Sequence, residues 1–463
     1  MVTDSGAPAS SRAPLDQVFK AYDVRGTVPD QVNPTLVRAI GGGFVDVTGA
    51  DRVVVGHDMR PSSPELAAAF ADGASAAGAD VVMIGLAATD QLYFASGHLD
   101  LPGAMLTASH NPAHYNGIKL CHAGARPVGR DTGLTEIRDR VARGATYDSG
   151  RRGEVTEQDV LDAYVGHLLS LAPVSGRPLR VVVDAGNGMA GHTAPAVFER
   201  LGADRVALVR MYFELDGTFP HHEANPIEPA NLVDLQRRVL EEGADVGLAF
   251  DGDADRCFLV NERGELVSPS VLTALIASRE LAREPGATVI HNLITSRAVP
   301  ELVAELGGRP VRTRVGHSFI KATMAETGAV FGGEHSGHFY FRDFWRADSG
   351  MLAALHGLAA LAETDQPLSQ LLAEHDRYAL SGEINTTVGD AARVIEDVRT
   401  TYGGRAGVTL DELDGLTVSH DDWWFNVRPS NTEPLLRLNA EGRDTATMER
   451  VRDDALTLIR SHA

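Results

Sequence analysis

The sequence predicts an α/β protein built from three similar mixed-sheet α/β domains and a smaller α+β C-terminal domain. Three observations point there. A strand–helix–strand pattern recurs three times before residue 314, three consecutive strands precede the last helix, and a short acidic run sits between two apolar strands mid-chain. Strands alternating with helices make parallel sheet, and consecutive strands make antiparallel sheet.

In chain order, the opening stretch is rich in Ser, Ala and Pro and reads as a disordered tail. Val18–Gly26 alternates apolar and polar residues, as a strand ending in Arg25 and Gly26 would. Arg52–Gly56 is a strand, followed by a helix with Leu66, Ala69, Phe70 and Ala77 on one face, then the strand Asp80–Leu86. The pattern returns as Val181–Asp184, a helix around Val197 and Leu201, and Arg205–Val209. Its third copy is Thr288–His291, a helix with Val299, Leu302, Val303 and Leu306, and Arg309–Thr313. Each helix stops at a Gly-Ala or Gly-Gly pair, as a left-handed C-terminal cap requires. Three copies suggest duplication, although any large α/β chain gives such echoes. Glu383–Val388 then reads as a strand, Ala391–Tyr402 as a helix, and 415–420, 423–428 and 434–440 as strands. The closing helix carries Met448, Val451, Ala455, Leu458 and Ile459 on one stripe, so helices cover one face of an antiparallel sheet.

With 463 residues there is room for roughly three or four domains of ~100–150 residues. The 42 basic against 63 acidic residues leave a formal charge of −21 with no basic run. Nucleic acid and anionic membranes are therefore poor partners, and an anionic substrate needs positive charge gathered locally. Two cysteines, Cys121 and Cys257, suit a reducing compartment without disulfides. No signal-like N-terminus or long apolar run occurs, so a soluble cytoplasmic protein is expected.

Asp251-Gly252-Asp253-Ala254-Asp255-Arg256 lies between the strands Val246–Phe250 and Cys257–Val260. Alternating residues of an extended chain point to one side, which would converge three carboxylates on one hard cation. A solvated acidic turn is the alternative, but carboxylates clustered between buried strands repel one another unless something positive joins them. Ser109 in Thr107–Pro112, followed by His110, Asn111 and Lys119, reads either as a nucleophile loop or as a Ser/Asn turn. Asp184–Gly191 contains a G-x-G-x-x-G, but the next strand ends in Arg210 where a dinucleotide site needs an acid. His221, His222 and Glu223 are too closely spaced for zinc and read as a connecting loop. Gly332–His338 mixes carboxylate, hydroxyl and imidazole, the composition of a sugar-reading loop. Arg428–Pro434 reads equally as a phosphate cradle and as a polar hairpin turn.

Together Ala21–Gly26, Thr107–Pro112, Asp251–Arg256, Gly333–His338 and Arg428–Pro434 resemble, in order, the motifs of the α-D-phosphohexomutase superfamily, most closely its bacterial phosphomannomutase/phosphoglucomutase group. The resemblance implies four domains around a central cleft: a phosphoserine-bearing domain over 1–158, a metal-loop domain over 159–265, a sugar-recognition domain over 266–377 and a phosphate-binding lid over 378–463. It implies that Ser109 is phosphorylated and that Asp251, Asp253 and Asp255 hold Mg²⁺ together with Ser109. Arg25, His110, Lys119 and Arg256 would surround the transferring phosphoryl group. Glu334 and Ser336 would bind ring hydroxyls, and Arg428, Ser430, Asn431 and Thr432 the other phosphate. Tyr22, His317 and His338 match further substrate-binding positions. The chain departs from the group at Ala254, where Gly is frequent, at His335, where Met or Gln is usual, and at Ile294, where some relatives carry Lys.

The implied activity is interconversion of mannose 6-phosphate and mannose 1-phosphate, and of the glucose phosphates, by a monomer activated by hexose 1,6-bisphosphate. The alternatives are a phosphoglucosamine mutase, a Mg²⁺-dependent sugar phosphatase and a non-catalytic sugar-phosphate sensor.

Overall fold

The structure, a computed structural model, describes residues 12–145, 147, 150–429 and 435–461. They divide into two compact units, 12–267 with 336–369, and 268–335 with 370–461.

In the first unit, one sheet runs in the order Val24–Thr27, Tyr115–His122, Gly103–Leu106, Arg52–His57, Asp80–Leu86 and Val155–Glu157, with Arg126–Pro127 beside Tyr115–His122. Arg52–His57 is parallel to both of its neighbours, whereas Tyr115–His122 is antiparallel to Gly103–Leu106 with Lys119 opposite Met105. Val53, Val54 and Val55 are fully buried, which is why this strand reads as an unbroken apolar run. The helices Pro34–Thr48 and Ser63–Ala76 pack closely. A Cβ on Gly41 would lie 2.2 Å from the Phe70 carbonyl oxygen, and one on Gly73 would lie 1.9 Å from that of Arg38.

A second sheet orders Leu266–Val267, Cys257–Asn261, Val246–Phe250, Leu179–Asp184 and Val206–Met211. Its last three strands are parallel, while Val246–Phe250 and Cys257–Asn261 are antiparallel neighbours joined by the acidic run. The short pair Phe339–Phe341 and Ala347–Asp348 leads into the helix Gly350–Ala362, buried along its whole length.

In the second unit Thr288–Asn292 lies between Arg309–Thr313 and Phe331–Gly333, parallel to both. The C-terminal sheet is antiparallel throughout, ordered Ala379–Thr387, Leu435–Gly442, Trp423–Pro429, Leu416–His420 and Thr409–Asp411. The helices Ala391–Tyr402 and Thr445–Arg460 cover one of its faces through Val394, Val398, Tyr402, Val451, Ala455 and Ile459. Mixed α/β sheets followed by an α+β domain are the architecture expected.

One local expectation is corrected, and one strand is added. Val18 ends the helix Arg12–Val18, and the strand begins only at Val24, because Lys20 N–H donates to the Asp23 carbonyl and folds the intervening residues into a bend. Thr409–Asp411, too short to show a period, adds an edge strand.

Phe425 is fully buried in the C-terminal core, its ring 4.9 Å from that of Tyr402 and nearly perpendicular to it. Phe425→Ala is expected to cost this domain about 3–5 kcal/mol, read as a lower denaturation midpoint. An unchanged midpoint would contradict the packing described.

Candidate active site

Gly103–Leu106 delivers the chain into the loop that carries Ser109. There Thr107 Oγ1 accepts from Ser109 N–H at 3.0 Å, and the Ser109 backbone adopts φ +50°. A non-glycine residue in the left-handed region is held there by its surroundings, and such positions gather at functional sites. Ser109 is buried, not exposed as a loop hydroxyl usually is. Its Oγ donates to Asp251 Oδ2 at 2.7 Å and stands 3.2 Å from His110 Nδ1.

The acidic run is a turn, not the extended segment expected from its alternation. Ala254 N–H donates to the Asp251 carbonyl at 3.0 Å, and Ala254 itself has φ +61°. That positive φ is the reason Gly is the easier residue there. Curling brings an oxygen of each of Asp251, Asp253 and Asp255 within 4.8 Å of the others. Gly252 is needed for a second reason: a Cβ there would lie 2.4 Å from the Ser109 carbonyl oxygen, so only glycine lets the two loops touch.

All three carboxylates are buried, and their surroundings divide their labour. Lys119 Nζ donates to Asp253 Oδ2 at 2.6 Å and to Asp255 Oδ2 at 2.5 Å. Thr89 secures Asp253 twice, its Oγ1 donating to Oδ2 at 2.5 Å and its N–H to the Asp253 carbonyl at 2.9 Å. Burial works against ionisation of Asp253, but Lys119 and the Thr89 hydrogen bond hold it below the usual carboxylate range. Asp251 is pushed well up by burial and then by Asp255 and Asp253. Asp255 is raised to about 6 by burial and Asp253. Oδ1 of Asp253 and Oδ1 of Asp255 are buried without hydrogen-bond partners. Converging carboxylates with orphaned oxygens are the donor set of a hard divalent cation.

Around this cluster lie cations. Arg256 Nε is 3.6 Å from Asp251 Oδ2 and donates to His338 Nε2 at 3.2 Å. His338 Nδ1 stands 3.0 Å from Ser336 Oγ, and its Nε2 is 3.7 Å from Asp255 Oδ1. Arg25 donates to Asn111 Oδ1 at 2.6 Å and pairs with Asp23. Burial, with Arg256 and Arg25 nearby, holds His110 well below the ordinary imidazole range, so its ring is neutral at pH 7. The structure thus gathers Ser109, Arg25, His110, Lys119, the three aspartates, Arg256, Ser336 and His338. Tyr22 lies half-buried in the bend before Val24–Thr27.

The second unit holds the other candidates. Glu334 is buried, and its Oε1 accepts from Asn292 Nδ2 at 3.1 Å and from Gly316 N–H at 3.2 Å. His335 Nδ1 is 3.2 Å from Ser270 Oγ, and burial lowers its pKa to about 4. Ile294 is buried with Leu293 and Trp424, an apolar cluster in which a Lys would be poorly solvated. Arg428, buried, donates to Glu383 Oε2 at 2.6 Å, with Arg437 3.3 Å from the other oxygen. His317 opens the helix His317–Thr327; its side chain, like Ser430, Asn431 and Thr432, lies outside the described residues.

Four sequence models match the chain: phosphoglucomutase/phosphomannomutase alpha/beta/alpha domain I over residues 16–148, domain II over 162–264, domain III over 268–378 and the C-terminal domain over 383–458. The chain belongs to the phosphoglucomutase/phosphomannomutase family. Within this family it is 39% identical over 452 residues to a phosphomannomutase of Escherichia coli, covering 96% of this chain and 99% of that one. It is 42% identical over 450 residues to the phosphohexose mutases of Xanthomonas campestris pv. campestris, with the same coverage. A solved phosphoglucomutase/phosphomannomutase family protein of Burkholderia thailandensis superposes with a TM-score of 0.87 at 34% identity, covering 96% and 97% of the two chains. Among the described residues no helix is long and apolar enough to cross a membrane.

Sequence reading missed the supports beneath the site. Thr89 follows the strand Asp80–Leu86 without any recognisable motif, and Asn292 carried no signal except its place at a strand end. Asp90 is fully buried, accepting from Ser349 Oγ at 2.7 Å and Tyr164 Oη at 2.8 Å. Burial raises its pKa to about 7 against those hydrogen bonds. The sign follows from linkage: between about pH 4, where the unfolded group ionises, and about pH 7, the folded state binds the extra proton. The contribution of Asp90 to stability is therefore complete at low pH and lost as pH rises through that window. Asp90→Asn is expected to raise Tm at pH 8 relative to wild type more than at pH 5. Equal shifts at the two pH values would show that Asp90 is not proton-linked to folding.

Proposed function

We propose that this chain interconverts mannose 6-phosphate and mannose 1-phosphate, and the corresponding glucose phosphates, through a phosphoryl group carried by Ser109 and a hexose 1,6-bisphosphate intermediate. The observation that carries the reading is the 2.7 Å contact of Ser109 Oγ with Asp251, in the turn that gathers three buried carboxylates and Lys119. The name phosphomannomutase borne by full-length relatives at about 39% identity supports it.

Phosphoryl transfer needs little covalent work from a protein beyond positioning and charge. In the forward half-reaction the bond between phosphorus and Ser109 Oγ breaks, a bond to the free sugar hydroxyl oxygen forms, and the proton lost by that hydroxyl is balanced by the one Ser109 Oγ takes up. In the second half-reaction the bond between the other phosphorus and its sugar oxygen breaks, a bond to Ser109 Oγ forms, and the proton Ser109 Oγ loses is balanced by the one the released sugar oxygen takes up. Asp251, Asp253 and Asp255, with Ser109, would hold Mg²⁺, which supplies positive charge against the phosphoryl oxygens. Lys119, Arg256 and Arg25 supply fixed positive charge around the same group, in a buried setting where it acts more strongly than in water. His110, neutral and beside Oγ, adds a hydrogen-bonding group without adding charge. His338 is oriented by Arg256 and Ser336, and Tyr22 and His317 are assigned to substrate binding. Glu334 and Ser336 are assigned to the ring hydroxyls, and Arg428, Ser430, Asn431 and Thr432 to the phosphate that is not reacting.

The test is a coupled assay with mannose 1-phosphate and a trace of glucose 1,6-bisphosphate, run beside an assay for inorganic phosphate. Isomerisation without phosphate release is expected, abolished by chelation and restored by Mg²⁺. Intact mass should show one phosphoryl group on wild type and none on Ser109→Ala, which should lose nearly all turnover. Release of phosphate without isomerisation would make the chain a phosphatase, and a phosphoryl group on another residue would remove Ser109 from the mechanism.

A further inference from the structure

Arg60 is the largest fully buried side chain among the described residues, 1% exposed, yet it lies outside every motif used above. It follows the strand Arg52–His57 and reaches into the loop that carries Ser109. Its Nη2 donates to the carbonyl of Ser109 at 2.9 Å and of Asn111 at 2.6 Å. Its Nη1 donates to the carbonyls of Pro112 and Tyr115, both at 2.9 Å. Nε stands 3.3 Å from Asp58 Oδ2, and the Phe219 ring lies over the guanidinium at 5.1 Å from its centroid.

Asp58 is itself fixed. Its Oδ1 accepts from Ser63 Oγ at 2.5 Å and from Arg60 N–H at 3.0 Å, and its N–H donates to the Leu106 carbonyl at 3.0 Å, just before the loop begins. The planar guanidinium thus directs four N–H groups at four carbonyls of one loop, of which that of Pro112 also accepts from Tyr115 N–H at 3.0 Å. An ammonium, with three donors on one point, cannot span that set. One of the four carbonyls belongs to Ser109, whose φ is +50° and whose carbonyl oxygen also faces Gly252 across the contact that excludes a Cβ. Turning that peptide would move Oγ away from Asp251.

We propose that Arg60, held by Asp58, is a positioning residue for the phosphoryl-carrying serine: it fixes the backbone conformation that aims Ser109 Oγ at the metal turn. The inference rests on the reading of Ser109 as the phosphoryl carrier. Arg60 touches neither substrate nor the reacting atoms in this scheme. Its loss should therefore appear in turnover and not in substrate affinity.

The experiment compares wild type with Arg60→Lys, Arg60→Met and Asp58→Asn. Each full-length protein is incubated with glucose 1,6-bisphosphate, and intact mass gives the fraction carrying one phosphoryl group. Turnover on mannose 1-phosphate is then expressed per phosphorylated molecule, which removes the effect of a smaller folded population. Misplacing a reacting group by ~1 Å costs up to about a hundredfold. The normalised kcat is expected to fall at least roughly tenfold in both Arg60 variants and to a lesser degree in Asp58→Asn, with KM changed by less than about threefold. If Arg60→Met does not fold, Arg60→Lys and Asp58→Asn carry the decision. Wild-type normalised kcat in folded Arg60→Lys and Asp58→Asn would overturn the positioning role and leave the serine reading intact. A wild-type protein that never acquires a phosphoryl group on Ser109 would overturn the serine reading, and the inference with it.

Discussion

Mutual repulsion among three buried carboxylates is the constraint on which this structure depends. Asp251, Asp253 and Asp255 sit without solvent within 4.8 Å of one another. Like charges so placed cannot all ionise unless positive charge joins them. The protein meets this in two ways. Lys119 and Arg256 bring charge from a neighbouring sheet and from the turn itself, while burial leaves Asp251 and Asp255 in a state that favours a proton or a cation. The arrangement is unfavourable as pure packing, and it suits chemistry that needs strong positive charge.

Much of the first unit's site was legible because its chemistry is local. Asp251–Arg256 and Thr107–Pro112 each place their functional atoms within one loop, and the strands flanking them are apolar enough to be recognised. The geometry that joins them was not legible. Alternation suggested an extended acidic segment, whereas the left-handed Ala254 closes a turn, a distinction that residue identity alone does not carry. Thr89, Asp90 and Arg60 act through contacts with residues distant in sequence, and a lone Thr or Asp at a helix start resembles an ordinary cap. The helix Pro34–Thr48 escaped notice because Gly41, Gly42 and Gly43 look like a break, although Gly41 is there to let a second helix approach.

The second unit shows why departures from a family pattern need a structure to interpret. Ile294 looked like a missing cation, but it packs with Leu293 and Trp424. Trp424 in turn donates to Glu441 at 2.6 Å, and Glu441 also pairs with Arg297. Charge in this region is organised around Glu441, away from the position the sequence comparison emphasised. His335 likewise contacts Ser270 Oγ and stays neutral, so its substitution alters a local hydrogen bond without altering charge.

The antiparallel pairing that sets Lys119 opposite Met105 imposes a parity rule on this part of the chain. Side chains alternate between the faces of a sheet, so slipping the Tyr115–His122 strand by one residue would send Lys119 to the opposite face. Asp253 and Asp255 would then lose their shared ammonium while every backbone hydrogen bond of the ladder could re-form. An insertion of one residue in that strand should consequently reverse the face on which Lys119 lies, and the intervening loop cannot absorb the change, because Arg60 holds its carbonyls from Ser109 to Tyr115. Lys119 and the carboxylates it joins are thus set against each other by a count of residues, a form of precision that depends on the ladder and is indifferent to most of the side chains along it.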